Sequence, residues 1–312
     1  MFGRAIAVAL ALTTAACGAR PHADAAADAA RAHRDRGHPL ARIASDDERA
    51  RTEAYSELTA MLNRGPLPRE EVAPYANDVQ RQLDEHLDRA APAQRPEPIT
   101  CGSWGAGRAY VMLRWETELL LDLGGSVPGG AMRKSLERAT GLSDARLRYF
   151  AVRSLLLRGD ALDAKLFGPI AAVDEVRGKL FSLLSERGRR ADFPAEYATQ
   201  EALARSRLVD WLQWDQRFGC VPRRIELGAV VPVGDDDWFV FRFSTDGSKR
   251  SEHDMLAGVA GPYAHASEPT LDGGDRTGSG FEPFDAKSPE EHVRAASADA
   301  EQPPTDADGT SI

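Results

Sequence analysis

The sequence predicts a mainly α-helical protein with a small β appendage towards its C-terminus. Three observations carry this expectation. Between residues 45 and 214, apolar side chains recur every three or four residues, the spacing that gathers them on one side of a helix. After Gly219 the period drops to two, the spacing of a half-buried strand. Before Leu40 and after residue 266, large apolar side chains are too sparse to build a core.

The helices follow in order. Ser45 and Glu48 have capping-box spacing, and Tyr55, Leu58, Met61 and Leu62 continue a helix that Gly65-Pro66 ends. Val72, Tyr75, Val79, Leu83 and Leu87 mark a second stripe, with His86 read as a helix-surface residue. The proline-rich stretch 91–98 reads as an extended connector. A third helix runs from about Arg108 to Leu123 and stops at Gly124-Gly125. A fourth covers Ala131–Ala139, a fifth runs from Ser143 to Gly159, and helical patterns return at 174–187 and 199–214. Trp211 and Trp214 close the last helix beside Leu208 and Leu212 and are read as packing residues, with an exposed anchor as the alternative.

The β signal begins with Ile225, Leu227, Ala229, Val231 and Val233 alternating along one strand. Gly234-Asp-Asp-Asp237 turns the chain, and Phe239, Phe241 and Phe243 share one face of the next run. The glycine-rich stretch Met255–Tyr263 supplies either a third strand or a covering loop. A lone hairpin is marginally stable, so these phenylalanines are expected against the helices.

Charge is uneven. The 312 residues carry 39 Lys plus Arg and 48 Asp plus Glu, a formal net charge of −9, which disfavours nucleic acid as a partner. Eleven acids and three bases fall in 267–312. That stretch is therefore read as a disordered acidic tail.

The N-terminus has Arg4, then the apolar run Ala5–Leu12, then Thr14-Ala-Ala-Cys17-Gly18. Eight apolar residues fall short of the roughly 20 that span a bilayer as a helix. The pattern resembles a bacterial lipoprotein signal with its lipobox. That resemblance implies cleavage before Cys17, diacylglycerol on its sulfur and N-acylation; Gly18 implies sorting to the outer membrane. The alternative is an ordinary secretory peptide. Residues 17–44, rich in Ala, His, Arg and Asp, read as a flexible tether.

Residues 144–160 resemble the second helix of a HEAT-type repeat: Asp144 opens it, the pair Leu147 and Arg148 follows, Ala151 and Leu155 face inward, and Gly159-Asp160 closes it. A weaker copy runs from Asp174 to Gly188, and the first-helix partners would be 131–140 and 161–172. The resemblance covers about 110–190 and implies a short helical-hairpin array; a generic helical bundle is the alternative. Export would leave Cys101 and Cys220 in an oxidising compartment, either joined as a disulfide or as two separate buried thiols.

Motifs for chemistry are absent from the sequence: there is no His-Glu-x-x-His, no Gly-x-Ser-x-Gly, no Ser-x-x-Lys and no phosphate loop. Asp235-Asp236-Asp237 reads as a polar turn and His253-Asp254 as a solvated loop. No catalytic residue, metal or cofactor is expected.

The expected organisation is a signal peptide (1–16), the tether (17–44), N-terminal helices with their connector (45–98), a HEAT-like domain (99–215), a β appendage (216–266) and the tail (267–312). The expected role is a non-enzymatic lipoprotein of the cell envelope, anchored by lipid and binding a protein partner. Alternatives are an immunity-type lipoprotein, a small-ligand or metal carrier, and a cell-envelope hydrolase with a carboxylate site.

Overall fold

A computed structural model describes residues 37–91, 108–215, 221–222, 224–244, 255–265, 268–280 and 282–299. The chain is mainly helical with a small three-stranded antiparallel sheet, as its periodicities predict. It divides into two compact units. The first holds residues up to Pro92, Leu113–Leu142 and Phe150–Ala161; the second holds Ala93–Met112, Ser143–Tyr149 and the chain from Leu162 onward.

The first unit begins earlier than expected. The short helix α1 (Pro39–Arg42) and Ile43 belong to the stretch read as tether, yet Leu40 and Ile43 are fully buried. His38 supplies the reason. Its Nδ1 accepts from Leu40 N–H at 3.2 Å, its ring stacks on Tyr75, and its Nε2 lies 3.1 Å from Glu71. Helix α2 (Glu48–Leu62) is capped by Asp47, which accepts from Arg49 N–H, while the Ser45 hydroxyl oxygen accepts from Asp47 N–H. The capping-box reading was therefore displaced by two residues.

The second stripe is interrupted at Pro74: α3 (Arg69–Val72) and a single 3₁₀ turn lead into α4 (Ala76–Ala90). Helix α5 (Arg108–Ser126) continues through Gly124 and Gly125 instead of ending before them. These glycines serve contact rather than termination. A Cβ on Gly124 would meet Met132 Sδ of α6 (Gly130–Ala139) at 3.0 Å. Arg158, just past α7 (Ala145–Leu157), donates to the Gly124 oxygen in the last turn of α5 and to the Val127 and Gly129 oxygens just beyond it.

Helix α7 ends as its sequence predicts. Gly159 has φ +83°; its N–H donates to Leu156 O, and Asp160 N–H reaches back to Leu155 O. This is a Schellman closure, and it recurs at the end of α9 (Asp174–Glu186) in the second unit, where Gly188 bonds to Ser185 O and Arg189 to Leu184 O. The expected first helix at 161–172 does not form. A 3₁₀ turn at Ala164–Leu166 and the single turn α8 (Gly168–Ala171) replace it. Asp163 caps the former, and Gly168-Pro169 starts the latter anew, because a proline suits only the first turn of a helix.

Helix α9 lies along α10 (Gln200–Trp214) at a close approach. Gly178 N–H donates to Ser206 Oγ at 2.8 Å, and that hydroxyl donates to Asp174 O at 2.6 Å. Beyond α10, the strands β1 (Arg224–Val233), β2 (Asp236–Ser244) and β3 (Leu256–Ala264) pair antiparallel in that order. Met255–Tyr263 thus includes a strand rather than a loop. Phe239, Phe241 and Phe243 pack with Leu208 and Leu212 of α10, as expected. The alternation of β1 is broken at Gly228, where the register with β2 shifts. Ile225 and Leu227 join the phenylalanine cluster, whereas Ala229 and Val231 join Trp238, Val240 and Val259 in another.

Residues 268–280 and 282–299, expected to be without structure, are built onto this sheet. Gly278 exchanges both backbone bonds with Val259, Phe284 N–H donates to Met255 O, and α11 (Pro289–Asp299) buries Val293. Residues 300–312 lie outside the described residues.

Tyr263 is buried among these elements, and its hydroxyl has no hydrogen-bond partner among the described residues. Burial pushes its pKa from 10.0 up to about 12. Below pH 10 the group is neutral in both states. Between pH 10 and 12 only the unfolded chain loses its proton, so stability falls, by about 3 kcal/mol if the whole interval is crossed. Tyr263→Phe should leave stability at pH 7 equal or up to ~1 kcal/mol higher and flatten the alkaline decline, as urea unfolding from pH 7 to 12 would measure. A variant as alkali-sensitive as the parent would refute the assignment.

Candidate binding cleft

In the second unit a cleft of about 540 Å³ lies where Trp211, β3, residues 275–280, Glu282 and α11 meet. Local sequence builds each wall. Thr199 caps α10 by accepting from Ala202 N–H, and the helix buries Leu203, Leu208 and Leu212, which leaves Trp211 half-buried on the flank. Strand β3 is made of small residues because α10 presses on it: a Cβ on Gly258 would lie 2.5 Å from Leu208 Cδ2. Residues 275–280 run beside β3, joined through Gly278, and Ala257 N–H donates to Glu282 O. Ser288 and Glu291 form a reciprocal capping box, with Pro289 in the first turn, and so start α11. From that helix His292, Ala295 and Ala296 face the cleft.

The polar groups of the cleft are mostly engaged. Glu282 pairs with Lys287 at 2.5 Å, His292 Nε2 meets Phe284 O at 3.0 Å, and Thr277 Oγ donates to Gly274 O at 2.6 Å. Asp275 is exposed to water. Arg276 is half-buried; its backbone N–H donates to Gly261 O, and its guanidinium has no partner among the described residues.

The repeat-signature residues behave as helix architecture. Asp144 accepts from Arg146 and Leu147 N–H at 2.8 and 3.3 Å, and its other oxygen accepts from the Tyr110 hydroxyl. Leu147, Ala151 and Leu155 are buried, Arg148 is half-buried, and Asp160 lies 3.5 Å from Arg133. Cys17, Cys101, Cys220, His253 and Asp254 lie outside the described residues. Asp237 pairs with His265 at 2.9 Å, whereas only Gly234 and Asp235 separate β1 from β2. Trp214 is 54% exposed, unlike Trp211.

His86 is not a surface residue. It is 4% exposed, with Nδ1 on Gln82 O at 2.7 Å, Nε2 on Glu116 Oε2 at 3.0 Å and Tyr55 edge-on to its ring. Burial, and next the Glu116 charge, raise Tyr55 above the usual tyrosine range. In the same unit burial raises Asp122, and Arg153 beside it opposes the shift. Among the described residues, no three His, Cys, Asp or Glu side chains are grouped to hold a metal ion, and no helix is long and apolar enough to cross a membrane.

The cleft was not legible from composition, although Ser288-Pro-Glu-Glu291 carries a helix-start signal. Fold and site together define a helical protein whose small sheet carries a ligand-sized cleft. Comparison with protein-family models, curated proteins and solved structures gave no match to this chain.

Proposed function

We propose that the chain is a membrane-anchored, non-enzymatic binding protein of the bacterial cell envelope, tethered through Cys17 and presenting its helical body to a protein partner. One observation carries the non-enzymatic part: Glu282, Lys287, His292 and Thr277 in the cleft are engaged with one another or with backbone. Groups held this way suit retention of a ligand more than proton transfer, which needs a donor or acceptor facing the substrate. The exposed indole of Trp214 supports a partner surface, since Trp is enriched where partners anchor. The anchor rests on Thr14-Ala-Ala-Cys17-Gly18, because several acyl chains, at ~0.8 kcal/mol per buried methylene, hold a globule lastingly to a bilayer.

Cys17→Ala, expressed with its leader in a bacterial host, should move from the membrane pellet to the soluble fraction. The parent should yield an N-terminal peptide beginning at acylated Cys17 by mass spectrometry. Equal partitioning of the two proteins would refute the anchor. Turnover of peptidoglycan by the purified protein would instead favour the hydrolase, with Asp275 and Glu282 as its nearest carboxylates to the cleft.

A further inference from the structure

We infer that the cleft beside Trp211 is a binding site for a small carboxylate with an apolar body, its anionic end on Arg276. This deepens the binding reading, on which it rests only in that the ligand is held and not transformed.

Size is the first argument. About 540 Å³ lies within the roughly 300–1,000 Å³ of sites for small organic ligands. The lining explains the volume: Ala257, Val259, Gly278, Ala295 and Ala296 are small, so neighbouring elements meet there without filling the space. Among the described residues Trp211 is the large apolar surface in it, and its indole lies beside Gly278, where an added Cβ would be in ordinary contact 3.7 Å from Cζ2. An apolar body against an indole and four small apolar side chains leaves water without losing a hydrogen bond.

The sign of the charge follows from burial. Among the described residues, four charged side chains line the cleft. Glu282 and Lys287 neutralise each other at 2.5 Å. Asp275 is exposed and keeps its hydration. Arg276 alone is part-desolvated with no side-chain partner among the described residues, so an anion restores to it what folding removed. A planar guanidinium also matches a carboxylate in two parallel hydrogen bonds. His292 does not compete for the ligand, because its Nε2 lies on Phe284 O.

The test uses the full-length protein and calorimetric titration with 3-phenylpropionate. Saturable binding is expected, and 3-phenylpropanamide, which lacks the charge, should bind about tenfold more weakly or worse. Arg276→Gln should impose a similar loss, and folding is not at issue because the guanidinium holds no other group among the described residues. Glu282→Gln, which frees Lys287, should tighten binding. A tripeptide ending in Phe with a free carboxylate, set against its amide, separates the two sources of this chemistry: tighter binding than the free acid identifies a peptide terminus, weaker binding a free acid, and both uphold the site. Absence of saturation up to about 10 mM acid, equal affinity for acid and amide, or an unchanged affinity in Arg276→Gln would each overturn the proposal. Hydrolysis of wall substrates without loss of carboxylate binding would remove the non-enzymatic reading and leave the site standing.

Discussion

Replacing Arg177 with alanine is expected to destabilise the second unit by about 3–5 kcal/mol, among the largest losses a single substitution produces. The side chain is 2% exposed, and every nitrogen has work. Nε donates to Ala171 O at 2.7 Å and Nη2 to Ala172 O at 3.2 Å, where α8 ends. Nη1 donates to Ala202 O at 3.2 Å on α10 and to Asp174 Oδ1, and the guanidinium lies over the Tyr197 ring. Alanine would leave the buried Ala171 carbonyl without a donor, costing about 1–3 kcal/mol, would pass the Ala172 carbonyl to water, and would open a cavity between α9 and α10. Asp174 would keep Arg205 at 3.0 Å, so the loss comes mainly from the carbonyls and the packing. Arg177→Lys should recover only part of it, because an ammonium cannot reach three directions in a planar fork. Thermal unfolding should show a fall of roughly 10 °C or more for alanine. A loss below about 1 kcal/mol would mean that water reaches these carbonyls and that Arg177 is not the clamp it resembles.

Ending the chain after Ala266 is the second large perturbation, and composition and structure disagree about its outcome. A solvated acidic tail can be removed without cost. The packed segment cannot: its loss strips the paired bonds between Gly278 and Val259, the Phe284 bond to Met255, and Val293 from the cluster of Trp238, Val240 and Val259. Val293 alone contributes about 1.5–3 kcal/mol by burial, and each backbone bond about 1. The truncated protein is therefore expected to lose at least ~4 kcal/mol, to bind hydrophobic dyes and to aggregate, while a chain ending at Asp299 keeps these contacts and should unfold like the parent. Equal stability of the two truncations would show that α11 does not hold the sheet.

This disagreement marks how far the sequence could be read. The caps of α7 were legible because they are local. Asp144 reaches N–H groups two and three residues on, and Gly159 takes a left-handed φ whatever surrounds it. The strand residues Phe239, Phe241 and Phe243 were legible because period two imposes a face. His86 was misread because its spacing between Leu83 and Leu87 says only that it shares a helix with them; Glu116, which holds it, lies thirty residues away. The cleft was hidden for the same reason, since Trp211, Arg276 and Ala296 are far apart in the chain and meet only through the sheet.

The cap at Asp144 and the Schellman closures at Gly159 and Gly188 were determined by residues within about one turn of each other, where backbone sterics and capping bonds decide. The face change of β1 at Gly228, the anchoring of 268–299 and the clamp at Arg177 were decided only in three dimensions. Each depends on a partner that local preference cannot name: the Phe284 ring that Gly228 admits, the edge of β3 that Gly278 pairs with, and the open carbonyls at Ala171 and Ala172. Burying polar backbone obliges the chain to find donors and acceptors wherever folding has brought them, and that obligation drew an acidic, weakly apolar segment into the structure.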